Sequence, residues 1–115
     1  MEIKEARATG LFYCRVEFGE FFGLDKEALW VRMREATAEE LAQFATSDAK
    51  KAGEAFMALL PKLITESGFT DNGVSASPDA VADIIKAKGT LFSYVLLEWQ
   101  QSLPLAKGKS TKSGK

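Results

Sequence analysis

Residues 28–35 alternate without a break. Trp30, Arg32 and Arg34 fall on one side of an extended chain, and Leu29, Val31 and Met33 fall on the other. Two residues later the period changes. Thr37 with Glu40 three positions on has the form of a capping box, and Leu41 and Phe44 follow three apart. From Ala49 onward, apolar residues recur at Ala52, Phe56, Leu59, Leu60, Leu63 and Ile64 with helical spacing. A strand with one apolar face must cover it, and helices with apolar stripes are what the rest of the chain supplies. The predicted fold is α+β: a small N-terminal antiparallel β-sheet or hairpin, drawn from the first 35 residues and packed on three or four α-helices. Residues 1–105 form a single domain in this reading, and 106–115 form a flexible basic tail.

The remaining elements follow from local chemistry. Residues 1–10 are polar and read as irregular. Leu11 to Glu17 is aromatic and β-branched enough for a first strand, and Gly19 and Gly23 break the segment Phe18 to Leu24 into a turn. Ser47 and Asp48 either cap a second helix or ride on a continuous one. Pro61 should kink that helix or end its regular part, and Gly68 reads as its stop. Residues 70–76 have loop composition with an Asn72-Gly73 turn. Ser77-Pro78-Asp79 is a helix start, with a cap, a proline at the first position and an acid near the positive end of the dipole. Val81, Ile84 and Ile85 follow, and Gly89 closes that helix. Thr90 then caps a last helix, Leu91 to Gln101, apolar around most of its surface and ended by Leu103-Pro104-Leu105.

Composition excludes much chemistry. At 115 residues, 46% hydrophobic and 27% charged, the chain is ordinary for a globular domain. No stretch approaches the ~20 apolar residues of a membrane span, and the opening residues do not read as a secretory leader. There is no His, and Cys14 is the single Cys, so no intrachain disulfide, no Ser-His-Asp or Cys-His constellation and no Cys/His zinc site can be built. Cys14 beside Arg15 reads as a small core residue rather than a nucleophile, since neighbours on a strand point to opposite faces. Glu39-Glu40 and the pair Asp79 and Asp83 read as surface charge near helix starts, too few oxygens for a divalent ion. Gly108-Lys109-Ser110 lacks the earlier glycine and the following helix of a phosphate loop, for Leu103 stands where that glycine would be. The last two helices do not make a DNA reader, because the second carries no Lys or Arg.

Net charge is −1, but Lys107, Lys109, Lys112 and Lys115 give the tail +4 and leave 11 basic against 16 acidic residues, a net −5, in the body. An acidic body is a poor general binder of nucleic acid. The tail reads as a solvated terminus, with an acidic partner as the alternative. The chain also holds eight Phe, two Trp and two Tyr. Phe18, Phe21 and Phe22 crowd one glycine-bearing segment and are either core or an exposed adhesive patch. So large an apolar supply in a small domain points to self-association or to a hydrophobic partner.

Leu29-Trp30-Val31-Arg32-Met33-Arg34-Glu35, followed by Thr37-Ala38-Glu39-Glu40-Leu41, resembles a strand-to-capped-helix opening of the tail assembly chaperones of long-tailed bacteriophages and prophages. Met33-Arg34 intrudes before Glu35, a departure from the tightest form of that motif. Leu91-Phe92-Ser93-Tyr94-Val95-Leu96-Leu97-Glu98-Trp99, then Leu103-Pro104 and a Lys-rich end, is the second matching stretch, and together they span about residues 24–109.

The resemblance implies a non-enzymatic protein of the host bacterial cytoplasm. It would bind the long hydrophobic tape-measure protein, and possible contact with the tail-tube protein comes with that role. It would keep its client soluble while the tail tube polymerises, and would be absent from the finished virion. Relatives are often made in two forms through a ribosomal frameshift, with which Gly108-Lys109 is compatible. Multivalent capture favours a homo-oligomer. No nucleic acid, membrane, cofactor, metal or catalytic residue belongs to this reading. The expected partner contacts are Phe18, Phe21, Phe22, Trp30, Phe92, Tyr94 and Trp99. The alternatives are a structural tail or connector component, an adaptor domain unrelated to phage, and an enzyme working with carboxylates alone. A tape-measure gene directly downstream would favour the chaperone.

Overall fold

The computed structural model describes residues 1–5, 10–44 and 48–102. The expected basic tail, the Leu103-Pro104-Leu105 stop and the Ser47 cap lie outside the described residues.

Strand β1 (Tyr13–Glu17) pairs antiparallel with β2 (Trp30–Arg34), Tyr13 opposite Arg34 and Glu17 opposite Trp30. Two short 3-10 turns, Gly19–Phe22 and Lys26–Ala28, connect them. The alternation in the sequence becomes two faces. Val16, Val31 and Met33 are buried beneath the sheet, while Tyr13, Arg15 and Arg32 stand in solvent above it. Helix α1 (Ala38–Ala42) starts with the predicted capping box: the Glu40 amide donates to Thr37 Oγ1 at 3.3 Å and the Thr37 amide donates to Glu40 Oε1 at 2.9 Å. Asp48 caps α2 (Ala49–Leu63), its Oδ1 accepting from the Lys50 amide at 2.9 Å and the Lys51 amide at 3.4 Å. Phe56, Leu59, Leu60 and Leu63 form its buried stripe.

The helix does not run on to Gly68. It ends at Leu63, and Ile64–Ser67 turns directly into β3, which pairs antiparallel with β2 through Ile64 opposite Met33 and Ser67 opposite Val31. Pro61 lies inside α2 and removes an amide from its last turns, which weakens any continuation. The second edge of β2 meanwhile offers ladder bonds to the β-branched Ile64 and Thr65. The sheet order is therefore β1-β2-β3, with a register irregularity between Arg32 and Met33, and it is not built from the first 35 residues alone.

Next comes a two-residue-strand hairpin, β4 (Thr70–Asp71) with β5 (Val74–Ser75), turning on Asn72 and Gly73 at φ 54° and 81°. Two successive positive φ values are what the Asn-Gly pair tolerates. Helix α3 (Pro78–Lys86) is capped by Ser77, whose Oγ accepts from the Ala80 amide at 3.2 Å. Helix α4 spans Gly89–Ser102, so Gly89 opens it rather than closing α3, and Thr90 lies within it. Leu91, Val95 and Trp99, four residues apart, are its buried stripe. The core lies between the inner face of the sheet and α2, α3 and α4, and no polar or charged residue is buried among the described residues. The architecture is α+β.

Candidate functional site

The seven expected partner contacts separate into core and surface. Trp99 is 2% exposed, packed on Phe56 and Phe44 at ring distances of 5.4 and 6.1 Å, and its Nε1 donates to the Arg34 carbonyl at 2.9 Å. Phe18 is buried against Phe69 and Phe22, at 5.9 and 6.4 Å. Both are buried in the core cluster and present almost no surface to a partner in this conformation. Phe22 and Phe92 are half-buried, Phe22 beneath Lys88 Nζ at 5.0 Å and Phe92 against Phe56 at 5.3 Å.

Phe21 and Tyr94 do meet at the surface. Their rings lie 5.1 Å apart, and Phe21 is 37% exposed. The Tyr94 hydroxyl donates to the Glu17 carbonyl at 3.2 Å, which fixes that ring beside β1. Burial, with Glu98 nearby, pushes the phenol's pKa up, so it stays protonated and donating. Two further exposed apolar residues, missed from sequence, each lie three positions along the chain from one member of this pair. Leu97 is 51% exposed one turn beyond Tyr94 on the same side of α4, and Leu24 is half exposed at the end of the Phe21 turn. The signal for Leu97 was its position off the Leu91/Val95/Trp99 stripe.

The outer face of the sheet is a second surface. Tyr13, Arg15, Trp30, Arg32 and Glu66 are among the residues that line a shallow depression of about 350 Å³. The Arg15 guanidinium lies 4.3 Å over the Trp30 ring and that of Arg32 lies 4.3 Å over Tyr13. Each also meets a carboxylate, Arg15 with Glu17 at 3.1 Å and Arg32 with Glu66 at 3.0 Å. Trp30 is half-buried here, its indole lying against the Gly68 backbone. Cys14 is half-buried on the inner side of β1, packed against the core.

Among the described residues the most enclosed ion pair joins β2 to α1. Arg34 grips Glu40 with two bonds of 2.8 and 2.9 Å and also donates to the Glu35 carbonyl at 2.9 Å. These bonds, with the Thr37 amide, pull the Glu40 carboxyl down to about 2, and the same pairing raises the Arg34 pKa. A carboxylate with a depressed folded-state pKa stabilises above its ordinary value of 4.5 and loses that contribution as pH falls toward 2. The shift corresponds to about 3 kcal/mol. Solvent at the helix surface screens it to about 1–2 kcal/mol. Melting of the wild type against Glu40→Gln should show the wild type ahead at pH 6 and the gap closed by about pH 2. An equal gap at both values would remove the ion pair from this role.

Of the acid pair on α3, Asp83 sits 3.7 Å from Lys86. Among the described residues no three His, Cys, Asp or Glu side chains group as metal ligands would, and no helix is long and apolar enough to cross a membrane. Comparison with known protein families, with curated proteins and with solved structures finds no match.

Proposed function

We propose that this chain is a non-enzymatic tail assembly chaperone of a long-tailed phage or prophage, which binds the hydrophobic tape-measure protein in the host cytoplasm and keeps it soluble while the tail tube forms. The observation that supports this reading is the Phe21–Tyr94 pair with its apolar flank, Leu24 and Leu97. Such a patch on a small domain is the feature a holdase needs. The Tyr94 hydroxyl is already tied to the Glu17 carbonyl, so part of the ordering cost of binding has been met in folding. An amphipathic client helix laid across the rings would gain about 25 cal/mol for each Å² of apolar surface buried, less what remains of that cost. Binding on those terms is reversible, as release of the client to the growing tube requires.

Co-expression with the large tail protein encoded nearby tests the reading. The client should be recovered soluble only when this chain is present and should co-purify with it. The double variant Phe21→Ser, Leu24→Ser removes exposed apolar surface worth about 2 kcal/mol, so capture should fall roughly tenfold or more while circular dichroism is unchanged. A client equally soluble with and without the chain would overturn the proposal.

A further inference from the structure

Among the described residues β1 is an edge strand, since β2 lies between it and β3. The direction of its backbone groups follows from the bonds at its two ends. The Phe12 carbonyl accepts from the Glu35 amide at 2.7 Å, and the Phe18 amide donates to the Leu29 carbonyl at 2.9 Å. In an antiparallel ladder alternate residues bond the same neighbour. Residues 12, 14, 16 and 18 therefore aim at β2, and 13, 15 and 17 aim outward. The Glu17 carbonyl is occupied by Tyr94. The outward amides and carbonyls of Tyr13 and Arg15 have no backbone partner among the described residues.

We infer that this edge pairs with the β1 edge of a second copy of the chain, about a two-fold axis at Cys14. The choice of occupant comes from the strand's complementarity to itself. Outward residues can pair only with outward residues, which leaves four registers that use Tyr13 or Arg15. Arg15 on Glu17 is blocked, because the Glu17 carbonyl it would need already accepts from Tyr94. Arg15 on Arg15 sets like charges directly opposite one another. Tyr13 on Tyr13 leaves both guanidinium groups facing Leu11. Tyr13 on Arg15 satisfies both residues twice over. It exchanges four backbone hydrogen bonds and puts a cation beside a ring on each side of the axis. That contact repeats across the junction what the chain already does within itself, where Arg15 covers Trp30 and Arg32 covers Tyr13.

The result is a six-stranded antiparallel sheet, β3-β2-β1 continued into its mirror order. An edge left bare is a standing template for such pairing, and a two-fold dimer closes it. The edge exists whatever the client is, so the dimer does not depend on the chaperone reading.

The register makes one sharp geometric demand. Cys14 faces the partner's Cys14 as a non-hydrogen-bonded pair, which sets the two Cα atoms about 4.5 Å apart, within the range a disulfide spans. Sedimentation of the full chain should give a dimer at about 100 µM that dissociates toward 1 µM. Mild oxidation of the dimer should link Cys14 to Cys14, and Cys14→Ser should abolish the link while sedimenting as before. Arg15→Pro removes an amide that points away from β2, a place where an edge strand tolerates proline. That variant should be monomeric with unchanged circular dichroism.

Three results would overturn the inference. One is a wild type that stays monomeric at about 100 µM. Another is a dimer whose Cys14 residues do not link, which decides the register even if the proline variant fails to fold. The third is a dimer that survives Arg15→Pro, which would put the junction elsewhere; with a monomeric wild type, loss of client capture in that variant would give the edge to an extended client segment instead.

Discussion

Trp99→Ala should lower the stability of this domain by about 3–5 kcal/mol, enough to bring a domain of this size to the edge of unfolding. Trp99 is 2% exposed and heads the largest fully buried side chains. Its indole fills the space between Phe56 and Phe44, so truncation opens a cavity lined by rings that cannot collapse into it. The same change takes the Nε1 donor from the Arg34 carbonyl, which joins α4 to β2 across 65 residues of chain. Trp99→Phe separates the two contributions. It keeps most of the ring packing and loses the donor, and should cost about 1–2 kcal/mol. Urea unfolding of the three proteins measures both. A Trp99→Ala midpoint equal to wild type would place the indole in solvent and return it to the list of partner contacts.

Where the sequence was legible, one local cause decided the outcome. The strand at Trp30–Arg34 was readable because a sheet covered on one face must alternate, and Val31 and Met33 are fully buried. Thr37 and Ser77 were readable because a cap satisfies its own helix within three residues, while at Asp48 a cap and a continuous helix were both open and the cap formed. What stayed hidden depended on distant chain. Ile64 continues the 3.6-residue stripe of α2, and only the open edge of β2, some 30 residues earlier, turns it into β3. Gly89 carries the same local signal whether it ends α3 or begins α4. It begins α4 because the Phe92 amide bonds the Lys88 carbonyl at 2.8 Å.

The surface was harder to read than the core. Leu91, Val95 and Trp99 already showed a four-residue stripe, yet Phe92, Tyr94, Leu96 and Leu97 between them masked which side was inward. Phe18 and Phe21 are alike in composition and three residues apart, yet one is buried and the other exposed. Their difference is set by the tight turn between them, which no periodicity describes.

That turn carries the second large effect. Gly19→Ala should cost about 2–4 kcal/mol, although alanine is a smaller change than most in this domain. Gly19 is buried beneath the returning chain. A Cβ there would overlap the Asp25 carbonyl oxygen, and would lie only 2.9 Å from its carbon and 3.0 Å from the Lys26 oxygen. These atoms are backbone, held by the Ala28 amide on the Asp25 carbonyl at 2.9 Å, so they cannot swing aside as a side chain would. The turn must open. Opening it strains the bond from the Leu24 amide to the Gly19 carbonyl, 3.1 Å long, which fixes where Phe21 emerges beside Tyr94. The variant should therefore lose client capture with every apolar side chain of the patch still present. Glu20→Ala, an exposed change in the same turn, should stay within about 0.5 kcal/mol of wild type and capture normally. Thermal melting and the co-expression assay read the two consequences separately. Full capture by a destabilised Gly19→Ala protein would mean that the position of Phe21 does not matter to binding, and would move the client site away from this turn.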